Sequence, residues 1–372
     1  MPISSSKVAS LGASDAATLA ADPSAAGRAA AAAKVAGQLQ RPLSDAERQL
    51  ASEILGIFVR DAEASARTAL SETLKSAREV PRDVALALAR DVDSVSAPFL
   101  KVSQALTDDD LLTIIAECGE GAQAAIAERP AVSESISDAL VGRGHETVVA
   151  TLVGNPGAQI SETTLGAIVE VHGGSAVVAE RLAVRPRMPL VLAERLVHRI
   201  FDQLWETLAS AQEIPEDILS DLILQVRERA LVALLPAGGG AFDLAALVAH
   251  LHAHQRLTPS IILRAVCMGD VGFLEAALAK LADVPVDNAR RLIEDKGAGF
   301  ERLLQASRLP GKLLPALHSA VHIAAETGYD GGPNDRARFR ARVAERLLTS
   351  TEAGEELLDG RDLDYLIQRL AS

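Results

Sequence analysis

One short phrase recurs four times between residues 88 and 186, and it constrains the fold more than any other feature of the sequence. The copies are Leu88-Ala-Arg-Asp-Val92, Ile126-Ala-Glu-Arg-Pro130, Leu152-Val-Gly-Asn-Pro156 and Leu182-Ala-Val-Arg-Pro186, and their first residues are separated by 38, 26 and 30 positions. Each phrase predicts the end of one helix at its aliphatic residue, because a proline or a polar residue that follows stops the helix, and another helix is expected to start soon after. Short helix pairs bury their apolar faces by stacking, which is the organisation of a solenoid. We expect residues 44–230 to be right-handed stacked helix pairs, with Leu88, Ile126, Leu152 and Leu182 at equivalent buried positions.

The composition also favours helices. Hydrophobic residues make up 48% of the chain but aromatic residues only 3%, so the core is expected to consist mainly of Ala, Leu and Val. Beta-rich domains draw more on Tyr, Phe, Trp and Thr, whereas small aliphatic side chains suit helices that pack closely in layers. The sequence therefore predicts an all-α protein, a HEAT-like helical-repeat solenoid followed by a C-terminal helical unit.

A second repeated phrase marks where helices begin. Ser76-Ala-Arg-Glu-Val-Pro-Arg-Asp-Val84 closely matches Ser210-Ala-Gln-Glu-Ile-Pro-Glu-Asp-Ile218, and Val284-Pro-Val-Asp287 is a shorter copy. Proline is tolerated in the first turn of a helix, where its missing N–H is not needed, and Asp is favourable near the positive end of the helix dipole. We expect a helix to start at each of these prolines.

The chain divides into four segments by composition. Residues 1–36 are rich in Ala, Ser and Gly and have few large apolar groups, so they are expected to form a disordered tail. Residues 37–235 hold the predicted HEAT-like repeats. Three consecutive glycines cannot sustain a helix, so residues 236–241 are predicted to be a hinge. Residues 242–372 then form the C-terminal helical domain, whose last two helices are expected at about 334–348 and 361–370.

The charge and the cysteine content limit the environments and partners that suit the chain. Its formal net charge is −13, which repels phosphate backbones on average. Only two cysteines are present, Cys118 and Cys267, without the spacing of a disulfide framework or a metal site, so a reducing, cytoplasmic location is expected. No membrane span and no secretory signal is predicted.

Two histidine pairs are the only residues that suggest a metal site. His250 and His254 lie four residues apart, as do His318 and His322, and each pair would share one helix face. Together the pairs could supply four ligands to one zinc ion. Neither pair has the Glu of a His-Glu-x-x-His motif, so we predict no metal and no cofactor, and interpret these residues as surface or partly buried histidines. A metal-dependent enzyme that uses them is retained as an alternative function.

Other catalytic and nucleotide-binding motifs are missing from the sequence. It contains no Gly-x-Ser-x-Gly nucleophile elbow, no phosphate-binding Gly-x-x-x-x-Gly-Lys-[Ser/Thr] loop and no strand followed by Gly-x-Gly-x-x-Gly. Cys118 and Cys267 each lie in an apolar segment and are interpreted as small core residues. We therefore predict no catalytic residues.

A cluster of arginines forms one dense basic patch near the C-terminus, consisting of Arg336, Arg338, Arg340, Arg342 and Arg346. At helical spacing Arg336 and Arg340 share a face, as do Arg338, Arg342 and Arg346. One interpretation is a solvated face whose charges pair with nearby acidic residues. The other is a docking patch for an acidic protein partner. Base stacking has little support, since Phe339 is the only aromatic residue among these arginines.

The chain resembles an uncharacterised alphaproteobacterial family, a domain of unknown function built from HEAT-like or leucine-rich-repeat-variant helices. The segments that carry the resemblance are Leu111-Leu-Thr-Ile-Ile-Ala116, Gln123-Ala-Ala-Ile-Ala-Glu-Arg-Pro130, Ser133-Glu-Ser-Ile-Ser-Asp-Ala-Leu140, Val149-Ala-Thr-Leu-Val-Gly-Asn-Pro156, Arg256-Leu-Thr-Pro-Ser-Ile-Ile-Leu-Arg-Ala265 and Gly269-Asp270. These motifs are structural, so the resemblance implies a fold and no activity.

The sequence thus predicts a non-enzymatic scaffold or adaptor of a regulatory kind that binds a protein partner. Solenoids present extended surfaces suited to such binding. Besides the metal-dependent enzyme, the other alternative is a helical-repeat nucleic-acid-binding protein, which the acidic balance of the chain disfavours.

Overall fold

The computed structural model describes residues 45–326, apart from 61–62, 78–79, 187, 212–214, 236–240, 268 and 296–297, together with isolated positions among residues 24–37 and residue 342. In this part of the chain every regular element is helical, and one isolated parallel bridge joins Val132 and Ala158. The predicted all-α fold is confirmed. The predicted disorder of residues 1–36 and the two helices predicted beyond residue 333 lie almost wholly outside the described residues and stay predictions.

The chain forms two compact units, residues 1–186 and residues 187–372. The described helices of the first unit are α1 (Asp45–Phe58), α2 (Ala64–Leu74), α3 (Arg82–Ala89), α4 (Asp93–Val102), α5 (Asp108–Glu117), α6 (Glu120–Ala127), α7 (Glu134–Arg143), α8 (Glu146–Gly154), α9 (Glu162–His172) and α10 (Ala176–Ala183). The even-numbered helices α2 to α10 pack on one another in series to form one layer, and each also packs on the odd-numbered helix before it. This arrangement is the predicted solenoid of helix pairs.

The predicted repeat positions are buried, but one of them belongs to the other layer. Leu88, Ile126, Leu152 and Leu182 are all fully buried. However, Leu88 lies in α3, an odd-numbered helix, whereas the other three lie in α6, α8 and α10. The residue equivalent to Ile126 is Leu100 in α4, so the predicted equivalence of Leu88 is wrong. The sequence comparison missed Leu100 because α4 ends at Val102 and no proline follows it, whereas a proline marks the later copies.

The corrected alignment shows a stricter period than the sequence phrase suggested. Fully buried aliphatic residues recur at intervals of 26 positions in the even-numbered layer, at Leu74, Leu100, Ile126 and Leu152. The odd-numbered layer has the same spacing at Leu88, Ile114 and Leu140. Each repeat therefore contributes one deeply buried side chain per layer to a continuous core.

A polar residue near the end of each of the last three phrases holds neighbouring repeats together. The last carbonyl groups of a helix lack partners inside the helix, and in this unit a side chain from the following repeat donates to them. Arg129 donates to Leu100 O (2.5 Å) and Ser103 O (2.8 Å), Asn155 to Ala127 O and Arg129 O (both 2.7 Å), and Arg185 to Val153 O (2.8 Å) and Ala158 O (2.6 Å). These are the residues just before proline in the repeated phrase, so the phrase encodes contacts between repeats as well as helix ends.

The described helices of the second unit are α11 (Leu190–Ala211), α12 (Glu216–Leu234), α13 (Ala241–Ala253), α14 (Pro259–Cys267), α15 (Val271–Ala282), α16 (Val286–Asp295), α17 (Ala298–Ala306) and α18 (Leu314–Glu326), with a 3₁₀ turn at Gly311–Leu313. Helix α15 is central, since α13, α14, α16 and α17 all pack on it and Phe273 and Leu274 are fully buried. The prolines predicted to start helices do so: α3, α12 and α16 begin directly after Pro81, Pro215 and Pro285.

The division between the units differs from the predicted one. The sequence placed a boundary at residues 236–241, whereas the compact units divide after Pro186. One core includes Leu231 from α12, Leu235 directly after α12 and Leu247 from α13, because apolar residues on both sides of the glycines pack into the same unit. Residues 236–240 lie outside the described residues, so the predicted flexibility of this segment stays a prediction.

Candidate protein-interaction surface

The structure reaches only one residue of the predicted arginine patch. Arg342 is helical and exposed, while Arg336, Arg338, Arg340 and Arg346 lie outside the described residues. The docking role of the patch therefore stays a prediction.

The two histidine pairs lie in different surroundings. His250 Nε2 is 3.1 Å from Glu194 Oε2, and the rings of His250 and His254 are 4.2 Å apart. His318 packs edge-on against Phe300 with ring centroids 4.7 Å apart, and His322 is exposed. Within the described part of the chain, no group of three or more His, Cys, Asp or Glu side chains could hold a metal ion. The predicted absence of a metal and the metal-enzyme alternative both stay predictions.

Cys118 shows no sign of an activated thiol. Cys118 is half-buried, and burial raises the pKa of its thiol, which lowers the fraction of the nucleophilic thiolate. Cys267 is the last residue of α14.

Two buried carboxylates fasten the base of the α11–α12 pair to the rest of the second unit. Glu194 on α11 is only 4% exposed and pairs with Arg256 at 2.8 Å, beside His250. Glu228 on α12 pairs with Arg264 at 3.0 Å. Its oxygens also accept hydrogen bonds from the hydroxyls of Thr258 (2.6 Å) and Ser260 (2.7 Å).

Each carboxylate is thus neutralised by an arginine from the 256–264 segment. Buried charges are tolerated when they are paired and hydrogen-bonded, so we interpret this network as structural. The sequence analysis missed it, although Glu228 lies three residues before the buried Leu231, a spacing that puts a charge on the apolar side of the helix.

Two histidines of the second unit, His198 and His250, have pKa values lowered by burial. Burial is the main cause that lowers the pKa of His198, with contributions from Arg227 and Arg256. Burial likewise lowers the pKa of His250, with His254 and Arg256 opposing its protonation and Glu194 favouring it. Asp202 and Glu194 favour protonation of His198, but they do not offset the lowering of its pKa.

We expect the stability of the second unit to fall as the pH drops below about 6.5. The folded histidines take up a proton at lower pH than the unfolded ones, so the unfolded state binds more protons in that range and is favoured by acidification. Each histidine contributes a slope of at most about 1.4 kcal/mol per pH unit. Urea titrations between pH 7.5 and 5 should show this slope, and His198→Gln with His250→Gln should reduce it. An unchanged slope in the double variant would contradict the assignment.

The outer part of the α11–α12 hairpin exposes large apolar side chains. Ile218 and Leu222 on α12 are 58% and 52% exposed, and Ile200 and Leu204 on α11 are 38% and 40% exposed. Within each helix the two residues are four apart and share a face. The two helices pack on each other, and the core of the second unit draws only on their residues near the base, such as Leu190 and Leu231.

Helix geometry places these side chains on one side of the hairpin. Asp202 and Arg227 form an ion pair at 3.2 Å between α11 and α12, which marks the opposite side. Each residue of an α-helix is turned by about 100° around the helix axis from the residue before it. Side chains turned by about 140° or more from Asp202 on α11, or from Arg227 on α12, therefore point away from the ion pair. In residues 200–210 and 216–225 those positions hold Ile200, Leu204, Thr207, Ile218, Leu222 and Gln225. We call these six uncharged residues the hairpin face; the exposed Arg229 follows on the same side of α12, closer to the base.

A second exposed apolar stretch is smaller and is broken by a charge. Val177 on α10 and Val184 directly after it are exposed, but Arg181 lies between them on the same side, where it donates to Ala150 O at 2.9 Å. The hairpin face is therefore the best candidate for a protein-interaction surface in the described residues.

The fold and this surface define an all-α helical-repeat protein with an exposed apolar hairpin. A model of a bacterial protein family matches residues 95–356, and the chain belongs to that family, described as an uncharacterised protein conserved in bacteria (DUF2336). The predicted restriction to alphaproteobacteria and the HEAT-like repeat type stay predictions. No curated protein and no solved structure matches the chain. None of the described helices is both long and apolar enough to cross a membrane.

Proposed function

We propose that the protein is a non-enzymatic interaction scaffold or adaptor and that it docks another protein molecule on the hairpin face. The single observation that carries this proposal is the exposure of Ile200, Leu204, Ile218 and Leu222 on one side of a two-helix projection. Contiguous exposed apolar patches on proteins commonly mark interaction sites. A cytoplasmic location and a regulatory role belong to the same proposal.

The energetics of this surface suit a protein ligand. Full burial of an aliphatic side chain is worth about 1.5–3 kcal/mol, so burying four that are about half exposed would contribute roughly 3–6 kcal/mol to binding. The hairpin is also a rigid support, because Leu219 and Ile223 are buried and the base is fixed by Glu194 and Glu228. A preorganised surface loses little conformational entropy when it binds.

The arginine patch supplies a second element of the proposal. On a chain of charge −13, residues 336–346 would steer an acidic partner toward one region. The Arg338→Glu, Arg342→Glu variant should then slow association several-fold at low salt while leaving helicity unchanged, because exposed charges act mainly on association rate.

Photo-crosslinking in cells tests the docking role of the hairpin face. A photoreactive phenylalanine analogue at position 222 should give covalent adducts with protein in cells that produce the chain. The matched control is position 224, because Leu224 is 45% exposed on the same helix. Its side chain is only about 60° around the helix axis from Arg227, so it lies on the ion-pair side and not on the hairpin face. Adducts from position 222 and few from position 224 support the proposal. No adduct at 222, or equal adducts at both positions, would contradict it.

A further inference from the structure

We propose that the partner of the hairpin face is a short amphipathic helix of another protein, with lysine or arginine side chains beside its apolar stripe. This inference rests on the proposed function, since it names the kind of partner for the same surface. Its evidence is the shape and size of the hairpin face and the charge of the chain around it.

The outer part of the hairpin is strongly acidic. Residues 200–226 contain six Asp or Glu residues and no Lys, Arg or His, namely Asp202, Glu206, Glu213, Glu216, Asp217 and Asp221. Asp202 is paired with Arg227, which leaves the other five as an excess of negative charge. An uncharged apolar face within an acidic segment attracts a cationic ligand and repels an anionic one.

This charge disfavours two other occupants of the face. A second copy of the chain would bring two acidic hairpins together, and like charges opposite each other are repulsive. A helix of another protein with acidic flanks would meet the same repulsion. A basic helix is instead attracted by a chain whose net charge is −13, and this attraction raises its association rate.

The shape of the face suits a third helix. It presents one row of apolar side chains on α11 and another on α12, and the two helices pack on each other. A helix with an apolar stripe can lie along such a pair with its stripe between the two rows. The face extends from residue 200 to 207 and from 218 to 225, which is about 10 Å along each helix. A partner helix of about three turns would cover it.

The size of the face suits a helix better than a whole domain. A helix of this length would bury about 700 Å² in total on the two partners, whereas stable contacts between domains bury about 1,200–2,000 Å². We therefore expect a reversible complex with a Kd in the micromolar range or weaker. Attraction between opposite charges contributes more to the rate of association in such a complex than to its lifetime.

Arg229 favours one direction for the bound helix. It is exposed and follows the hairpin face on the same side of α12, closer to the base. The C-terminal end of a helix carries a partial negative charge and the N-terminal end a partial positive charge. The partner helix should therefore place its C-terminal end next to Arg229. Its N-terminal end then lies towards the connection between α11 and α12, where the sequence contains Glu213 and Glu216.

The arginine patch selects the opposite charge. Residues 336–346 would attract an acidic surface, whereas the hairpin attracts a basic one. The two regions therefore recognise different partners, or different parts of one partner. The arginine-rich segment of the chain itself has the chemistry that the hairpin face selects, since Phe339 and Val343 lie four residues apart among the arginines. The experiment must therefore separate this segment from a helix of another protein.

Fluorescence anisotropy with two synthetic peptides tests the inference on the full chain. The basic probe is a helical peptide of roughly 18 residues, with leucines recurring at i, i+3, i+4 and i+7 and with lysine and alanine elsewhere. The acidic probe has glutamate in place of each lysine. The basic probe should bind the wild-type chain at least about tenfold more tightly than the acidic probe at low salt. Its binding should weaken several-fold as the salt concentration rises, because salt screens the attraction.

A matched pair of variants locates the binding. Leu222→Gln should weaken binding of the basic probe about fivefold, because it removes from the contact an apolar side chain that is half exposed in the free chain. Leu224→Gln makes the same change on the ion-pair side of α12 and should leave the affinity unchanged. Neither substitution alters the net charge, and circular dichroism establishes that both variants keep wild-type helicity.

The inference is overturned if the basic probe does not bind, if the acidic probe binds as tightly, or if the two variants bind the basic probe equally. It is also overturned if Phe339→Ser strengthens binding of the basic probe, because the arginine-rich segment of the chain would then be the occupant. If the basic probe does not bind while position 222 still forms adducts with protein in cells, the preference for a basic helix fails and the proposed docking role stands. If neither is observed, both fail.

Discussion

Replacing Glu228 with alanine should lower the free energy of unfolding of the second unit by about 3–5 kcal/mol, because it leaves a buried arginine without its counter-ion. Glu228 and Arg264 are both nearly inaccessible, with side chains 6% and 10% exposed. The same substitution also removes the acceptor for the hydroxyls of Thr258 and Ser260.

Urea unfolding followed by the fluorescence of Trp205 measures this effect. The chain has a single tryptophan, and it lies on α11 of the second unit, so its signal reports that unit directly. Glu206→Ala is the control, since Glu206 is an exposed carboxylate on α11 and its loss should change stability by less than about 0.5 kcal/mol. A loss below about 1 kcal/mol for Glu228→Ala would mean that the pair is better solvated than the structure indicates.

Replacing Gly157 with alanine should destabilise the first unit by up to about 3 kcal/mol, because the new methyl group would collide with the main chain. A Cβ atom at this position would lie 2.0 Å from the carbonyl oxygen of Pro130. That carbonyl cannot move away easily, because the backbone two residues further on is fixed. The N–H of Val132 donates to the carbonyl of Gly157 (3.2 Å), and the carbonyl of Val132 accepts from the N–H of Gln159 (2.9 Å). The loop between α8 and α9 is thereby held against the preceding repeat.

The matched control substitution, Gly142→Ala, is expected to stabilise the protein. Gly142 lies inside α7, and a Cβ atom there would meet no atom within 4 Å. Gly142→Ala should therefore stabilise the protein by about 0.5–1 kcal/mol, since alanine loses less conformational freedom in a helix. Urea unfolding followed by circular dichroism compares the two variants. Equal effects of the two substitutions would contradict the close approach at Gly157.

Much of the fold could be predicted because its signals are local. The proline before a helix and the proline after one act within a few residues, so the starts at Pro81, Pro215 and Pro285 were found from short phrases. The phrase Ile126–Pro130 likewise located the end of α6. The assignment of Leu88 to the wrong layer shows the limit of matching letters, because burial depends on which helix the residue lies in.

The candidate surface could not be predicted, because it depends on contacts between distant residues. Arg256 reaches Glu194 across 62 positions, and no local pattern specifies such a pair. Ile218 and Leu222 have the spacing of any amphipathic helix, and the sequence does not show which apolar residues stay uncovered after folding. The arginine patch stood out in the sequence because its residues are close neighbours in the chain.

The accessibility of position 222 inside cells tests the central claim most directly. Leu222→Cys and Leu224→Cys are each treated with a maleimide reagent in cells and as dilute purified protein, and mass spectrometry of the peptide that contains the new cysteine separates its labelling from that of Cys118 and Cys267. If the hairpin face binds a protein, labelling at 222 should be several-fold slower in cells than in dilute solution, after normalisation to 224. Equal ratios at the two positions would show that the face stays exposed to water, and would contradict its role as an interaction surface.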